Sequence, residues 1–472
     1  MELTESALQS EIDKIISDGE KKVHTRWEVE FSIRDDSPIV LSTHIDDVSY
    51  VDTREKSERI YTPISVLNID FVRDYETNAG DEITLVCVIP MGLWAKVLYP
   101  CRDYLYATLV KHYLREHSLE INTEDAKESE KYVCIPKLTP ELAVDGKRVS
   151  RMSRHELDIK GMVTVEFQLI DQSMEKLRSV TTGGIWRRAK PEDVIKSVLA
   201  TESAKVTIDD GPAIDYIDMK KASNQEAREH ILLPQGTSLS YVAHHIQRVC
   251  GGVYSAGINA YMQNKTWFVY PLYDTAGFNN ETKTITIIKI PEYKYTNAER
   301  TYRTDGDRLY ILGSTDATFS DNREATYLAE GNGVRFADAR RFMGDLVETK
   351  DNKPVAKRGK NNHEFVGVNK DQRNVVFVSS NRINANPFEE YTKLARRDGV
   401  IYQFEWQRSD SSLLHPGMKV KILFADGEEI GEMTGVLLKE HTAVQLQGQA
   451  TAAGSHMTTT VLAIFCKPTE EP

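Results

Sequence analysis

Alternating apolar and polar residues recur in two separate parts of this chain, and their placement restricts its fold more than any other feature. The segments "DEITLVCVIP" (81–90) and "MVTVEFQLID" (162–171) have an apolar residue at every second position. The same period returns in "MKVKILFADGEEIGEM" (418–433), where Asp426 and Gly427 form a favoured hairpin turn. A period of two is typical of β-strands with one buried face, so we predict β-structure in both parts.

The N-terminus carries a different pattern. Within residues 1–20, the side chains of Leu8, Ile12, Ile15 and Ile16 fall on one face at helical spacing. We therefore predict an amphipathic helix, whose apolar face needs a partner surface on its own chain or on another subunit.

A second helix is predicted inside the first β-region. The segment "MGLWAKVLYPCRDYLYATLVKHYLREH" (91–117) contains Pro100, a residue suited to the first turn of a helix. Its apolar residues at helical spacing are Leu98, Tyr104, Leu105, Leu109, Tyr113 and Leu114. This spacing predicts a helical excursion that interrupts the strands.

The middle of the chain combines helices and strands. The segment "KPEDVIKSVLA" (190–200) has proline in its first turn, followed by two acids that the helix dipole favours. Another helix is predicted over 237–252, ended by two glycines, and strands are predicted at 265–274 and 283–290. These elements predict a small α/β domain over 188–300.

The last region returns to strands and carries one helix. The helix is predicted over 386–399, where Gly399 suits the C-terminal cap. Strands are predicted near 308–314, 373–379, 400–406, 418–424, 432–446 and 458–466.

These patterns predict a β-rich α+β, multidomain protein, in which two β-regions flank the α/β domain. A chain of 472 residues should divide into about three domains, apart from a terminal helix. The predicted divisions are an N-terminal amphipathic helix at 1–24, a first β-domain at 25–187 with the helical excursion at 91–117, the α/β domain at 188–300 and a second β-domain at 301–472.

Composition limits the partners and the compartment. The formal net charge of −12 argues against a general binder of nucleic acids or acidic membranes. Five scattered cysteines without a CxxC pair are typical of a reducing compartment. Acids occupy the N-terminus where a signal peptide needs bases, and no apolar run reaches a membrane span. We expect folding in cytoplasm and no membrane anchoring.

The sequence predicts no catalytic, cofactor-binding or metal-ligating residue. It lacks the phosphate-binding loop, the HExxH and GxSxG motifs and the EF-hand loop. His244 and His245 are adjacent on a predicted helix, about 100° apart, which is poor for shared metal ligation. Neighbouring carboxylates such as Asp209 and Asp210 would lie on opposite faces of a strand, so acid-base chemistry would need distant partners.

Two other functions stay open. A β-rich polysaccharide hydrolase would bring dispersed carboxylates into one groove and raise the pKa of at least one of them. A glycan-binding tail module would stack sugars on exposed aromatic side chains, although alternation along a strand favours core packing. The candidate aromatic residues are Trp267, Phe268, Tyr270 and Tyr273.

Three parts of the chain resemble the baseplate hub proteins of contractile-tailed bacteriophages, which are related to the hub portion of type VI secretion spikes. The first is "ITLVCVIPMGLWAKVLYPCRDYL" (83–105). The second is "LPQGTSLSYVAHHIQRVCGG" with the following "WFVYPLYD" (233–274), and the third is "NPFEEYTKL" with the following "LLHPGMKVKILF" (386–424).

The resemblance implies a structural virion protein without enzymatic activity or cofactor. Its two tube-like antiparallel β-barrel domains would flank the small α/β domain, so that a homotrimer forms a pseudo-sixfold ring. Such a symmetry adaptor would join the tail tube to the central spike and line the channel used in genome ejection. Negative walls would keep passing DNA from adhering, so DNA would be only a transient partner.

The resemblance also implies the remaining partners and the location. The implied partners are a trimeric spike protein, tail tube or tube-initiator proteins and baseplate wedge proteins. The implied location is the tail baseplate of the virion, after assembly in the cytoplasm of the bacterial host.

Overall fold

The structure is a computed structural model of the chain. It describes residues 5–19, 24–34, 59–114, 120–122, 127–137, 161–208, 211–291, 300–314, 333–338, 347–350, 353–356, 365–368, 375–380, 388–426, 429–447 and 455–467.

Helices are few and mostly short within the described ranges. They are α1 (Glu5–Asp18), α2 (Met91–Leu93, continued by a π-helical turn over Trp94–Leu98), α3 (Gln172–Leu177), α4 (Pro191–Ser203), α5 (Val242–Val249) and α6 (Phe388–Arg397). Helix α4 begins at the predicted proline, and its apolar side chains are buried as predicted. Within the described residues, none of the helices combines the length and apolar character needed to cross a membrane.

Strands dominate the rest of the described chain. The first are β1 (Thr25–Ile33), β2 (Ser65–Asp74), β3 (Glu82–Pro90), β4 (Leu105–Tyr113), β5 (Glu128–Pro136), β6 (Met162–Asp171), β7 (Thr181–Ala189), β8 (Thr207–Ile208), β9 (Gly211–Pro212), β10 (Tyr216–Met219), β11 (Arg228–Ser238), β12 (Ile258–Gln263) and β13 (Thr266–Pro271). The remainder are β14 (Thr284–Lys289), β15 (Tyr302–Asp305), β16 (Arg308–Gly313), β17 (Gly333–Asp338), β18 (Val347–Lys350), β19 (Lys353–Ala356), β20 (Phe365–Val368), β21 (Val375–Ser380), β22 (Val400–Gln407), β23 (Lys419–Asp426), β24 (Glu429–Leu446) and β25 (His456–Cys466).

One 13-stranded sheet contains strands from both predicted β-regions. Its order is β15-β16-β14-β23-β24-β2-β3-β6-β5-β4-β1-β25-β22, and β24 also pairs with β25. The predicted β-rich fold is therefore confirmed. The predicted hairpin also forms, because β23 and β24 pair antiparallel from Asp426 opposite Glu429, although Gly427 lies outside the described residues.

Within this sheet, two sets of six paired strands can be followed. In each set, an isolated β-bridge connects the two ends of the set. The backbone amides and carbonyls of Phe31 and Tyr61 exchange hydrogen bonds of 2.7 and 2.8 Å, which links β1 to the segment just before β2. Ser314 and Glu405 exchange bonds of 3.1 and 2.8 Å, which links the end of β16 to β22. The pairings thus form a first circuit, β2-β3-β6-β5-β4-β1, and a second circuit, β16-β14-β23-β24-β25-β22.

Each circuit encloses its own apolar core. In the first, Leu85 and Phe167 pack with Trp94 of the helical segment after β3. In the second, Val420 packs with Trp406 and the inward residues of β24 and β25. Alternate strand positions supply both cores, as the period of two predicts.

A separate α/β unit has a third core. Helices α4 and α5 pack against β12 and β13, and β10 pairs in parallel with β13. The two-stranded β7–β11 sheet contributes its inner face to the same core.

Helix α1 docks on the second circuit of its own chain. Leu8, Ile12 and Ile15 are buried in a small cluster, whereas Ile16, predicted on the same face, is exposed. The residues under the helix face away from the core of the circuit. They are Ile288, Leu312 and Leu423 of the strands and Ile290, which directly follows β14.

The helix predicted over 91–117 is wrong beyond Leu98. The later residues form β4, which pairs antiparallel with β1 and β5. A spacing of four residues fits one face of a strand as well as one face of a helix, and Ala107 and Lys111 complete the buried row of β4. Hydrogen bonding to β1 on one side and β5 on the other makes this segment a strand rather than a helix.

The strand predicted at 283–290 forms as β14, but it does not lie in the α/β unit. It runs parallel to β16 and β23 inside the large sheet, so the prediction that both β-domains are antiparallel is wrong for the second one. Ile285 and Ile287 enter the second core, so this strand completes the second circuit.

Candidate functional site at the junction of the two circuits

The turn between β2 and β3 joins three parts of the molecule. Strand β2 pairs with β24 of the second circuit, and the turn that follows β2 contacts the α/β unit. The Asn259 side-chain amide donates to the carbonyls of Tyr75 and Asn78 at 2.8 and 2.9 Å, and the Tyr270 hydroxyl donates to the Tyr75 carbonyl at 2.8 Å. Because these donors are largely buried, the turn is held firmly between the first circuit and the α/β unit.

A buried ionic cluster lies beneath this turn. Arg73 Nε lies 2.8 Å from Asp81 Oδ2, and Arg73 Nη1 lies 2.8 Å from Glu440 Oε1. The hydroxyls of Tyr75 and Thr442 also donate to Glu440, at 2.9 and 3.1 Å. Burial raises the pKa of Glu440 although Arg73 acts in the opposite direction. This Arg73 cluster connects β2 with β24 and so connects the two circuits.

The α/β unit contributes one hydroxyl to the Arg73 cluster. Tyr261 of β12 donates to Asp81 Oδ1 at 2.8 Å. Burial, together with the negative charge of Asp81, raises the pKa of Tyr261 far above its ordinary value, so the phenol stays a proton donor. Asp81 therefore accepts from both the first circuit and the α/β unit.

A second ionic cluster also crosses between the circuits. Lys111 Nζ of β4 lies 2.9 Å from Asp410 Oδ1 and 3.3 Å from Glu128 Oε2. Asp410 also accepts from the backbone amide and hydroxyl of Ser412. Burial acts to raise the pKa of Asp410, but Lys111 and these hydrogen bonds lower it overall. We call this group the Lys111 cluster.

A row of hydroxyls runs from the Arg73 cluster to the segment after β22. The Thr442 and Thr460 hydroxyl oxygens lie 2.7 Å apart, as do those of Thr460 and Ser409. These buried side chains come from β24, β25 and the segment that follows β22. They extend the polar contact between the strands at the centre of the junction.

A small cavity of about 50 Å³ opens beside both clusters. Asp410, which has a lowered pKa, lines it, whereas Glu440, which has a raised pKa, does not. The cavity therefore does not present Glu440 as the protonated acid that a glycoside hydrolase needs. The charged residues that line it are Arg73, Lys111, Glu128, Glu130 and Asp410.

The aromatic residues proposed for glycan stacking lie mainly inside the molecule. Trp267 is 1% exposed, and its indole nitrogen donates to Ser203 Oγ at 3.3 Å. Tyr270 and Tyr273 are also buried, and Phe268 is partly buried against the second core. These side chains do not form an exposed stacking platform.

The adjacent histidines have separate partners. His244 Nε2 lies 2.9 Å from Asn259 Oδ1, and His245 Nε2 lies 3.2 Å from the Leu232 carbonyl. In the part of the chain that the structure describes, no group of three or more potential ligands could hold a metal ion. Asp209 and Asp210 lie outside the described residues.

Neither ionic cluster was predicted from the sequence. A signal was present, because Arg73 follows Ile69 and Phe71 at inward positions of β2, and Lys111 follows Leu109 in β4. A charged residue in an inward row of a strand has to find a buried partner. The partners could not be read from the sequence, since Glu440 and Asp410 lie about 300 or more positions away.

Comparison with known proteins gives structural neighbours only. No protein-family model matches the chain, and no curated protein sequence matches it. Among solved structures, it is similar to the 43 kDa tail protein of prophage MuSo2 from Shewanella oneidensis. That pair has 8% identity and a TM-score of 0.42, covering 93% of this chain and 96% of the other.

Two further solved structures are also similar to the chain. The Francisella PdpA–VgrG complex has 8% identity and a TM-score of 0.41, covering 99% of this chain and 56% of the other. An E. coli component of the type VI secretion system, itself similar to the T4 tail proteins gp27 and gp5, has 10% identity and a TM-score of 0.36, covering 87% and 75%.

Proposed function

We propose that this chain is a baseplate hub protein that acts through geometry rather than catalysis. In this proposal, three copies form a pseudo-sixfold ring that joins a tail tube to a central spike and surrounds a channel for DNA. The observation that carries the proposal is the pair of six-strand circuits, which are joined through β2–β24 and contained in one chain.

The circuits support this proposal by their similar construction, although the first is antiparallel throughout and the second contains the parallel pairs β14–β16 and β14–β23. Each has six strands, a bridge that connects its ends and its own apolar core. Two barrel-like units per chain give six units in a trimer, and this number matches a sixfold tube on one side and a threefold spike on the other. The α/β unit, fixed at the turn after β2, would then lie at a constant position in each third of the ring.

The junction fits a structural role. Its buried charges are paired with one another and with hydroxyl donors from both circuits. Groups satisfied in this way fix the positions of strands but do not supply a free acid or base. We therefore propose that the chain has no enzymatic activity of its own.

The proposed partners and location follow from the same role. They are a second and third copy of the chain, a trimeric spike, tube or tube-initiator proteins, and wedge proteins of the baseplate. The chain would be assembled in the bacterial cytoplasm and function in the virion tail. Its net charge of −12 supports only transient contact with DNA during ejection.

Light scattering on the purified chain tests this proposal. We expect a species of three times the chain mass of 53.5 kDa, with a population that grows with concentration. A single-chain mass at every concentration up to the solubility limit would contradict a hub that forms rings by itself.

A further inference from the structure

An exposed apolar and basic face lies on the β7–β11 sheet. Ile185 and Leu232 are directly opposite each other across the two strands and are 64% and 53% exposed. Arg187 and His230 form the next pair on the same face. On the reverse face, Ile231 is completely buried in the core of the α/β unit. This small sheet therefore has one satisfied face and one apolar face without cover in the described chain.

Helix α5 extends the exposed apolar area. Tyr241 and Val249, which are 45% and 41% exposed, lie on one side of the helical segment with His245 between them, at spacings of four residues. His245 Nε2 lies 3.2 Å from the Leu232 carbonyl, so this row lies beside β11. We define the ribbon surface as Ile185, Arg187, His230, Leu232, Tyr241 and Val249.

The ribbon surface carries one fixed charge, the positive Arg187, whereas the net charge of the chain is −12. The chain has 71 acidic and 59 basic residues, yet the six residues of the ribbon surface contain no acid. Among the described residues, neither Arg187 nor His230 forms an ion pair. Aromatic and arginine side chains beside exposed aliphatic ones, without acids, are the composition of a protein–protein interface centre.

We propose that the ribbon surface is one side of the contact between two copies of this chain, and that the other side is an acidic surface of the neighbouring copy. This inference rests on the proposed trimeric hub. In a closed ring of identical subunits, each contact joins two different faces of the chain. The excess of acids elsewhere on the chain supplies the complementary charge, while burial of Ile185 and Leu232 supplies the apolar contact.

The test compares the assembly of the wild type with that of the triple variant Ile185→Thr/Arg187→Glu/Leu232→Thr. Threonine suits an exposed strand position, so the β7–β11 sheet should be retained. We expect the dissociation constant of the trimer to rise at least about hundredfold, because two apolar contacts are lost and one charge is reversed. Mass photometry over a dilution series gives this constant, and the variant Arg187→Lys, which keeps the cation, should assemble like the wild type.

A thermal unfolding curve shows whether the triple variant is folded. If the triple variant unfolds at a lower temperature than the wild type, the single variant Arg187→Glu is tested instead. We expect its trimer dissociation constant to be about tenfold higher than that of the wild type. A wild-type trimer together with an equally stable variant trimer would overturn this inference and leave the hub proposal intact. A variant that keeps the trimer but no longer binds a spike protein would also overturn it. A wild-type monomer at every concentration would instead contradict the hub proposal itself.

Discussion

The Arg73 cluster and the Lys111 cluster both connect the two circuits, but they differ in contact with water. Arg73 and Glu440 are almost completely enclosed, and Asp81 is only 12% exposed. Lys111 and Asp410 are similarly enclosed, yet Glu128 is 47% exposed. Enclosed charges are stabilised only by their protein partners, whereas water can also solvate a charge on the open side of a cluster.

This difference leads to unequal roles. The Arg73 cluster fixes the positions of β2, β24 and the α/β unit together, because Tyr261 also donates to Asp81. The Lys111 cluster connects β4 and β5 with the segment after β22 and has no contribution from the α/β unit. We infer that, of the two clusters, the Arg73 cluster contributes more to how the circuits sit relative to each other.

The largest effect is expected for Arg73→Met. This change leaves Asp81 and Glu440 buried without their cation, and it should lower the free energy of unfolding by about 3–5 kcal/mol. Urea denaturation measures the loss. The matched control is Arg26→Met, which removes the exposed Arg26–Glu28 pair and should cost about 0–1 kcal/mol. Equal losses in the two variants would contradict the importance of the enclosed cluster.

A smaller effect is expected for Lys111→Met. Asp410 would lose its cation but keep two hydrogen bonds from Ser412, and we expect a loss of about 2 kcal/mol. A double-mutant cycle with Asp410→Asn measures the coupling between the two side chains. Additive losses would show that the 2.9 Å contact contributes nothing to stability.

Thr442→Val tests the hydroxyl row between the clusters. The change removes one donor to Glu440 and the contact with Thr460, so the free energy of unfolding should fall by about 1 kcal/mol. The control is Thr459→Val at the neighbouring, partly exposed position of β25, where a change within about 0.5 kcal/mol is expected. A larger loss at Thr459 would contradict the role of the row.

The smallest effect is an opposite pH dependence of the two clusters. The raised pKa of Glu440 gives stability that is present below its unfolded pKa of about 4.3 and is lost as pH rises through the folded pKa. The lowered pKa of Asp410 gives stability that is present above about pH 3.9 and is lost as pH falls through the folded pKa.

The pH dependence is measured by urea denaturation of the wild type, Glu440→Gln and Asp410→Asn between about pH 3 and pH 7. As pH rises, the difference in free energy of unfolding between the wild type and Glu440→Gln should become less favourable to the wild type. The corresponding difference between the wild type and Asp410→Asn should become more favourable to the wild type. The same sign in both series would contradict the assigned directions.

The sequence predicted the elements that have one clear period. Strands β3 and β6 and helix α4 form as predicted, because alternation or helical spacing agrees with the residues that end each element. The segment that forms β4 fits both periods, so only its pairing with β1 and β5 could decide. Likewise, the sequence of β14 predicts a strand but not its place in the fold. Its neighbours β16 and β23 begin at least 19 residues after it along the chain.

The junction could not be predicted because its partners are distant in sequence. Arg73 and Glu440 lie 367 positions apart, and no local pattern links them. The docking of α1 has the same cause, since its apolar face was predicted but the outward residues of β14, β16 and β23 that cover it were not. Amphipathic patterns indicate that a face will be buried, but they do not identify the surface that buries it.

The most direct test of the central claim is the symmetry of the assembled ring in negative-stain class averages. One chain with two barrel-like units of six strands each predicts a trimer that appears in end view as a ring of six similar lobes. A trimeric ring with only three lobes would contradict the claim, because it would show that each chain contributes one unit to the ring rather than two.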